Sequence, residues 1–124
     1  MSQRDLRVLG EAQSAVQINW DRQADSTIVR IGGEIDLLTA GELRACLLDS
    51  GLIGDSSRLI IDFTTVTFFG AAGLHVLDAV YDQCAHSGIS LVVAAHPDVV
   101  HLIDCADVAY RHCVLTRSPI ARGS

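Results

Sequence analysis

The side chains that most often carry chemistry are spread along the chain without the spacing of a catalytic or metal site. The four cysteines include no Cys-x-x-Cys pair, and the five histidines no His-Glu-x-x-His pattern. No Gly-x-Ser-x-Gly segment is present to hold an activated serine. The absence of lysine removes P-loop and Schiff-base chemistry. We therefore expect a binding protein, not an enzyme, with no metal and no cofactor.

Two other uses of these side chains stay open. Cys105 and Cys113 lie near the third predicted helix and the last predicted strand, so they are the best candidates for a regulatory disulfide. Cytosolic thiols are normally reduced, and simple burial is the interpretation we favour. Asp36 and Asp62 both lie at the ends of predicted strands, where a paired general acid and base is conceivable.

Composition limits the class of protein. The net charge of −6 and the pI of about 5.1 argue against DNA or RNA as a direct partner, because phosphate binding needs a concentrated basic surface. An apolar content of 49% suits a globular core. No tract of about 18 apolar residues and no secretory signal is present, so we expect a cytoplasmic protein that does not enter a membrane.

The elements that must position these side chains alternate between strand and helix. Their order, ββαβαβαβ, predicts an α/β fold in a single domain at residues 13–117, after a flexible lead-in at 1–12 and before a tail at 118–124. The predicted strands are Ala15–Trp20, Thr27–Ile31, Leu59–Phe63, Ile89–Ala95 and Arg111–Leu115. The predicted helices run from Thr39, with Glu42 completing a capping box, to about Ser50, from Gly70 to the stop at Gly88, and from Pro97 to about Asp107.

The start of the central helix is the most informative place. Residues Thr64–Phe69 are predicted to lead the chain off the third strand, and four small residues, Gly70–Gly73, then open the helix. The first turn of a helix exposes backbone N–H groups and the positive end of the dipole. Small side chains allow another molecule to approach this backbone closely. The turn could therefore hold an anion or serve as a compact contact surface.

Two segments resemble the signatures of the STAS domain of anti-sigma factor antagonists (anti-anti-sigma factors). Asp62–Leu77, DFTTVTFFGAAGLHVL, resembles the pattern D-(L/F)-S-x-V-x-F-(I/M)-D-S-(S/T)-G-(L/I)-x-x-L. Gly33–Leu43, GEIDLLTAGEL, resembles G-x-(L/I)-D-x-x-(T/S)-A-x-x-(L/F). The resemblance implies the STAS fold, a mixed, mostly parallel sheet with helices mainly on one face.

The resemblance also implies a function by binding. Members of the family bind an anti-sigma factor, a protein related to serine kinases, and phosphorylation of a serine in the signature prevents that binding. Here the serine position is Ala71, so the phosphorylation site is degenerate, and the acidic residue before it is replaced by Gly70. The implied contact surface is Asp36, Leu38, Thr39, Phe69, Gly70, Ala71, Ala72, Gly73 and, beside it, His75.

Other functions are compatible with the same resemblance. The chain could be the STAS subunit of a transporter or lipid-trafficking complex, a scaffold in a stress-sensing assembly, or a sensor of a nucleotide or small ligand. Thr64, Thr65 and Thr67 could accept a phosphate in place of the missing serine, although structural roles are favoured for them. A homodimer is also left open.

Overall fold

A mixed six-stranded sheet, with its strands side by side in sequence order, forms one layer of the molecule. The computed structural model describes Arg4–Asp5, residues 16–49 and residues 56–116. β1 to β3 are antiparallel neighbours, whereas β3 to β6 are parallel. The strands are β1 Arg4–Asp5, β2 Val16–Gln23, β3 Ser26–Ile35, β4 Arg58–Phe69, β5 Ser90–Ala95 and β6 Val114–Leu115. The predicted mixed, mostly parallel sheet is confirmed.

The helices connect the parallel strands and share one core with the sheet. They are α1 Leu37–Arg44, which continues as a π-helix at Ala45–Asp49, α2 Ala71–Ser87, α3 Pro97–Ala106 and a 3₁₀ helix at Ala109–Cys113. A single apolar cluster joins strand residues such as Ile61 to Leu43 of α1, Leu77 of α2 and Ile103 of α3. Because alternate strand residues face this cluster, the helices cover one face of the sheet, as predicted.

The residues predicted to end α2 and to begin α3 do so. Gly88 follows α2 with φ 69°, the left-handed conformation in which glycine has no steric penalty. Pro97 is the first residue of α3, where its missing N–H costs nothing. The start of α1 differs from the prediction, because Asp36 and not Thr39 occupies the N-cap. The helix therefore begins at Leu37.

β4 is much longer than the predicted Leu59–Phe63. It runs for twelve residues to Phe69, and its register against β3 shifts at two places. Each shift adds a residue to β4, so that Phe63, Val66 and Phe69, spaced by three, all face the core. The prediction that Thr64–Phe69 leave the sheet was wrong, because a bulged strand lacks the period of two that marks a regular one.

The two ends of the domain also differ from the prediction. The predicted strand Arg111–Leu115 is mostly the 3₁₀ helix, in which Tyr110 is buried and donates a hydrogen bond to the carbonyl of Leu74 at 3.2 Å, and only Val114–Leu115 pairs with β5. At the other end, Arg4–Asp5 pairs with β2, within the predicted lead-in. The remainder of residues 1–12 and the tail at 118–124 lie outside the described residues.

Candidate partner-docking surface

Asp36 fixes the start of α1 through a closed set of hydrogen bonds. Its Oδ1 accepts from the backbone N–H groups of Leu38 and Thr39, each at 3.0 Å. The Thr39 hydroxyl accepts from the Asp36 N–H at 3.0 Å and donates to the Glu34 carbonyl at 2.6 Å. The hydrogen bond from the Thr39 N–H lowers the pKa of Asp36, and the bonds from the Thr39 hydroxyl and the Leu38 N–H lower it further. Partial desolvation opposes this effect. Thr39 is itself buried, so both residues shape this surface more than they cover it.

The first two residues of α1 expose large apolar side chains. Leu37 and Leu38 each leave 83% of their surface accessible to solvent, the highest value among the large apolar side chains of the described residues. Contiguous exposed apolar surface of this kind marks an interaction site more often than a single exposed leucine does. Leu38 was predicted as a contact residue, whereas Leu37 was missed. No signal in the sequence distinguished Leu37, because a leucine directly after the N-cap is compatible with a core position as well as with an exposed one.

The start of α2 lies beside this end of α1. The Gly70 N–H donates to the carbonyl of Ile35 at 3.0 Å, which ties the α2 N-cap to the residue before Asp36. At Gly73 a Cβ atom would stand 2.7 Å from the Phe69 ring, so only glycine allows the helix to pack this closely on β4. The small residues therefore have a packing role as well as leaving the helix tip open.

A groove separates the N-terminal halves of α1 and α2. Its volume is about 230 Å³, and Leu37 and Gly41 on one side face Ala72 and His75 on the other. Ala71, at the first position of α2, and His75 are exposed, and Ala72 is half-buried. The structure thus places the exposed residues of both sequence signatures on one surface, whereas Thr39 and Gly73 are buried beneath it.

Phe69 is an exception among the predicted contact residues. Only 8% of its surface is exposed, and its ring packs edge-on against Phe63 with the centroids 5.2 Å apart. The aromatic ring that faces solvent here is Phe68, which is 53% exposed and would lie 3.3 Å from a Cβ atom at Gly70. We therefore assign Phe69 a packing role in place of the predicted direct contact. The bulge in β4 turns Phe69 inward and Phe68 outward.

The side chains considered for catalysis are not brought together. Asp36 directly follows Ile35, which pairs with Phe69 at the end of β4. Asp62 lies seven positions before Phe69, a separation of roughly 20 Å at about 3.3 Å per residue. Asp62 instead accepts from the N–H and hydroxyl of Thr64, at 2.8 and 2.6 Å. The lowered pKa of Asp36 also makes it a poor proton donor near neutral pH. The paired acid and base considered above is therefore not formed.

The cysteines are free thiols in different surroundings. Cys105 is exposed, and its Sγ lies 3.7 Å from His101 Nε2. Burial, with a smaller effect of Cys113, raises the pKa of Cys84 to about 11, and burial raises the pKa of Cys113 as well. Within the described part of the chain, no three His, Cys, Asp or Glu side chains are grouped as a metal site requires. The predicted redox pair of Cys105 and Cys113 stays a prediction.

The STAS domain model matches residues 17–110, which include both signatures and all three α-helices. The chain belongs to the STAS domain family. In this STAS protein, the matched region contains the whole surface formed by Asp36–Thr39, Gly70–Gly73 and His75. Among the described residues, no helix is long and apolar enough to span a membrane.

The relatives of this STAS protein include anti-sigma factor antagonists. The anti-sigma-F factor antagonist RsfB, from two strains of Mycobacterium tuberculosis, is 36% identical to it over 61 residues. The match covers 48% of this chain and 48% of RsfB, so the chain spans about half the length of the curated relatives it matches.

Solved structures of such antagonists share the fold. An anti-sigma factor antagonist from Mycobacterium paratuberculosis superposes with a TM-score of 0.71 at 23% identity, covering 90% of this chain and 92% of that one. Unphosphorylated SpoIIAA superposes with a TM-score of 0.67 at 13% identity, covering 79% of this chain and 85% of its own. At these identities the likeness concerns the fold alone.

Proposed function

We propose that this STAS protein is an anti-sigma factor antagonist-like regulator that binds an anti-sigma factor through the starts of α1 and α2. The docking surface, as defined here, comprises Leu37 and Leu38 on α1 and Ala71, Ala72 and His75 on α2. Asp36, Thr39, Phe69, Gly70 and Gly73 hold these two helix starts in place. By sequestering its partner, the protein would release a sigma factor and change transcription without touching DNA.

The exposure of Leu37 and Leu38 is the observation that carries this proposal. Two leucines at 83% exposure, next to a groove of about 230 Å³, offer apolar area that a folded partner can bury. Removing such apolar area from water contributes favourably to association. The relationship to anti-sigma-F factor antagonist RsfB supports an anti-sigma factor as the class of partner.

We further propose that phosphorylation at the start of α2 does not interrupt binding of the partner. Residue 71 is an alanine at the first helical position, where the family resemblance places the phosphorylated serine. A phosphate would add about −1.5 to −2 charges to an otherwise apolar surface and would oppose docking by repulsion and desolvation. An alanine cannot receive it, so the surface stays in its binding form.

An anion or nucleotide at the start of α2 is less well supported. The Gly73 N–H already donates to the Gly70 carbonyl at 2.9 Å, which leaves fewer free donors in the first turn. The groove is lined largely by apolar and small residues, with Arg44 as its one arginine. This composition fits a protein surface better than a phosphate group.

Calorimetric titration with purified anti-sigma-F factor of M. tuberculosis tests the proposal. Leu38→Ser should weaken binding at least about fivefold, because it removes an apolar anchor. Ala71→Glu should also weaken binding while the melting temperature stays equal or rises, since an acidic residue in the first turn interacts favourably with the helix dipole. Leu115→Ser, at an exposed leucine on β6, is the matched control and should bind as the native chain does.

Three outcomes would count against the proposal. Absence of binding by the native chain would refute this class of partner. Equal affinities for the native chain, Leu38→Ser and Ala71→Glu would place the contact elsewhere on the molecule. A heat of binding with ATP or GTP alone, abolished by Ala71→Glu, would favour the nucleotide sensor instead.

A further inference from the structure

The second half of β4 has an open edge. Pairing with β5 ends at Phe63 opposite Ala95, whereas β4 continues for six residues beside β3. Thr64 gives its N–H to Asp62, so the open stretch is Thr65–Phe69. Among the described residues, no other strand pairs with this stretch on its β5 side. Backbone donors and acceptors on that side are therefore available to an added strand.

The open edge forms one wall of a groove. The groove has a volume of about 570 Å³, and the start of α3 forms the opposite wall with His96, Asp98, Val99 and Leu102. Five extended residues span about 17 Å at roughly 3.3 Å each, which is the length of an ordinary short strand. An open edge facing a helix across a groove is the arrangement that binds an extended peptide by strand addition.

The side chains of the groove define the chemistry of its occupant. Phe68 and Leu102 supply apolar contacts, whereas the hydroxyls of Thr65 and Thr67 already donate to the β3 carbonyls of Ile31 and Gly33, at 3.3 and 3.1 Å. Asp98 carries the one charged carboxylate of the lining, and its side chain is 93% exposed. Because the whole chain also has a net charge of −6, a cationic residue in the occupant is favoured over an acidic one.

A peptide fits this site better than a second copy of the chain. Two register shifts distort the β4 edge, so the fixed edge strand of a second folded copy would not match it, whereas a free peptide can adjust its backbone to the bulges. The start of α3 also stands beside the edge, so a partner strand must enter a groove rather than approach a flat side of the sheet. A single extended segment meets both constraints.

We propose that Thr65–Phe69 of β4 and the start of α3 form a second docking site, which binds an extended, basic peptide segment of a partner protein by β-strand addition. This site is separate from the surface at the starts of α1 and α2, and its test does not require an anti-sigma factor. Main-chain hydrogen bonds to β4 supply affinity, and Asp98 selects a peptide with a positive charge.

The test uses the full chain and a capped six-residue peptide that alternates valine and threonine around one central arginine. Binding is followed by calorimetry and by hydrogen exchange of the Thr65–Phe69 amides, which should become protected. Replacing the arginine of the peptide by glutamate should weaken binding at least about fivefold, and N-methylation of alternate peptide amides about tenfold or more, because each methylated amide loses a main-chain hydrogen bond.

Variants of the protein locate the site. Asp98→Asn should reduce affinity for the arginine peptide by about two- to fivefold, as expected for an exposed ion pair. Leu102→Arg should weaken binding at least tenfold, because it places a bulky cation in the groove. Leu115→Arg, at an exposed leucine outside this groove, is the matched control and should leave affinity unchanged. Melting temperatures verify that each variant is folded.

Other results would overturn the proposal. Lack of binding by the arginine peptide, equal binding of its N-methylated form, or protection of amides elsewhere would exclude strand addition at β4. A concentration-dependent dimer that the peptide dissociates would identify a second copy as the occupant. Peptide binding that strengthens tenfold in Ile120→Asp would identify the tail of this chain as the occupant.

Discussion

At the scale of single residues, Asp36 connects the charge state of one carboxylate to the start of α1. Its folded-state pKa is lowered by the N–H groups that it caps, so the ionised form stabilises the fold. This contribution is fully present above the unfolded-state pKa of about 3.9 and is lost as the pH falls through the lower folded-state value.

Asp36→Asn should therefore lower the melting temperature at pH 6, and the difference from the native chain should disappear once acidification has protonated the Asp36 carboxylate. Asparagine is also a good N-cap, so this variant isolates the charge, whereas Asp36→Ala removes the cap altogether. Melting curves by circular dichroism across this pH range provide the measurement. A difference that stays constant from pH 6 to pH 2 would mean that the ionised carboxylate has no special role.

Substitution by alanine should have opposite effects on stability at two glycines. Gly73→Ala should destabilise the fold by about 1–2 kcal/mol, because the new methyl group overlaps the Phe69 ring at 2.7 Å. Gly41→Ala should stabilise it by about 0.5–1 kcal/mol, because α1 has open space at that position and alanine is the better helix former. Urea unfolding of both variants measures the free energies, and equal changes of one sign would refute the packing described for α2.

At the scale of elements, the sequence identifies most of the fold but not the irregular strands. The helix α2 is recognisable because Gly88 marks its end and its apolar residues recur every three to four positions. The extension of β4 is not recognisable, because its bulges depend on the partner strand β3. The 3₁₀ helix before β6 is set by burial of Tyr110, a tertiary contact that no local pattern encodes.

The candidate site, like the fold, was only partly predictable from the sequence. The start of α2 follows from its signature, since Gly70 is its N-cap, whereas α1 was predicted from Thr39 and in fact begins at Leu37 after the N-cap Asp36. Which side chains face solvent there depends on three-dimensional packing. Phe68 is exposed and Phe69 buried for this reason, and the exposed Leu37 was missed although it lies between two residues of the matched pattern.

The pairing of β4 predicts a step in backbone protection along a single strand. Amides of Leu59–Phe63 lie between two neighbouring strands, whereas those of Thr65–Phe69 have, among the described residues, a strand neighbour on one side only. Native-state hydrogen exchange of the free chain should show slow exchange in the first group and faster exchange at the open edge of the second. Uniform protection from Leu59 to Phe69 would show that the edge is already covered.

At the scale of the whole molecule, the fold places the two helix starts on one surface. The link from Gly70 to Ile35 holds α2 beside the start of α1, and the exposed leucines of α1 then flank the small residues of α2. This arrangement gives a preformed surface. The central proposal is that such a surface, without a hydroxyl at residue 71, stays available to its partner at all times.

The most direct test measures affinity for the anti-sigma factor before and after incubation of the complex with ATP, for the native chain and for Ala71→Ser. The proposal predicts that the native chain keeps its mass and its affinity, whereas Ala71→Ser regains a phosphoacceptor, gains one phosphate and binds at least tenfold more weakly. A native chain that acquires phosphate, at Thr64, Thr65, Thr67 or elsewhere, and then releases its partner would contradict it.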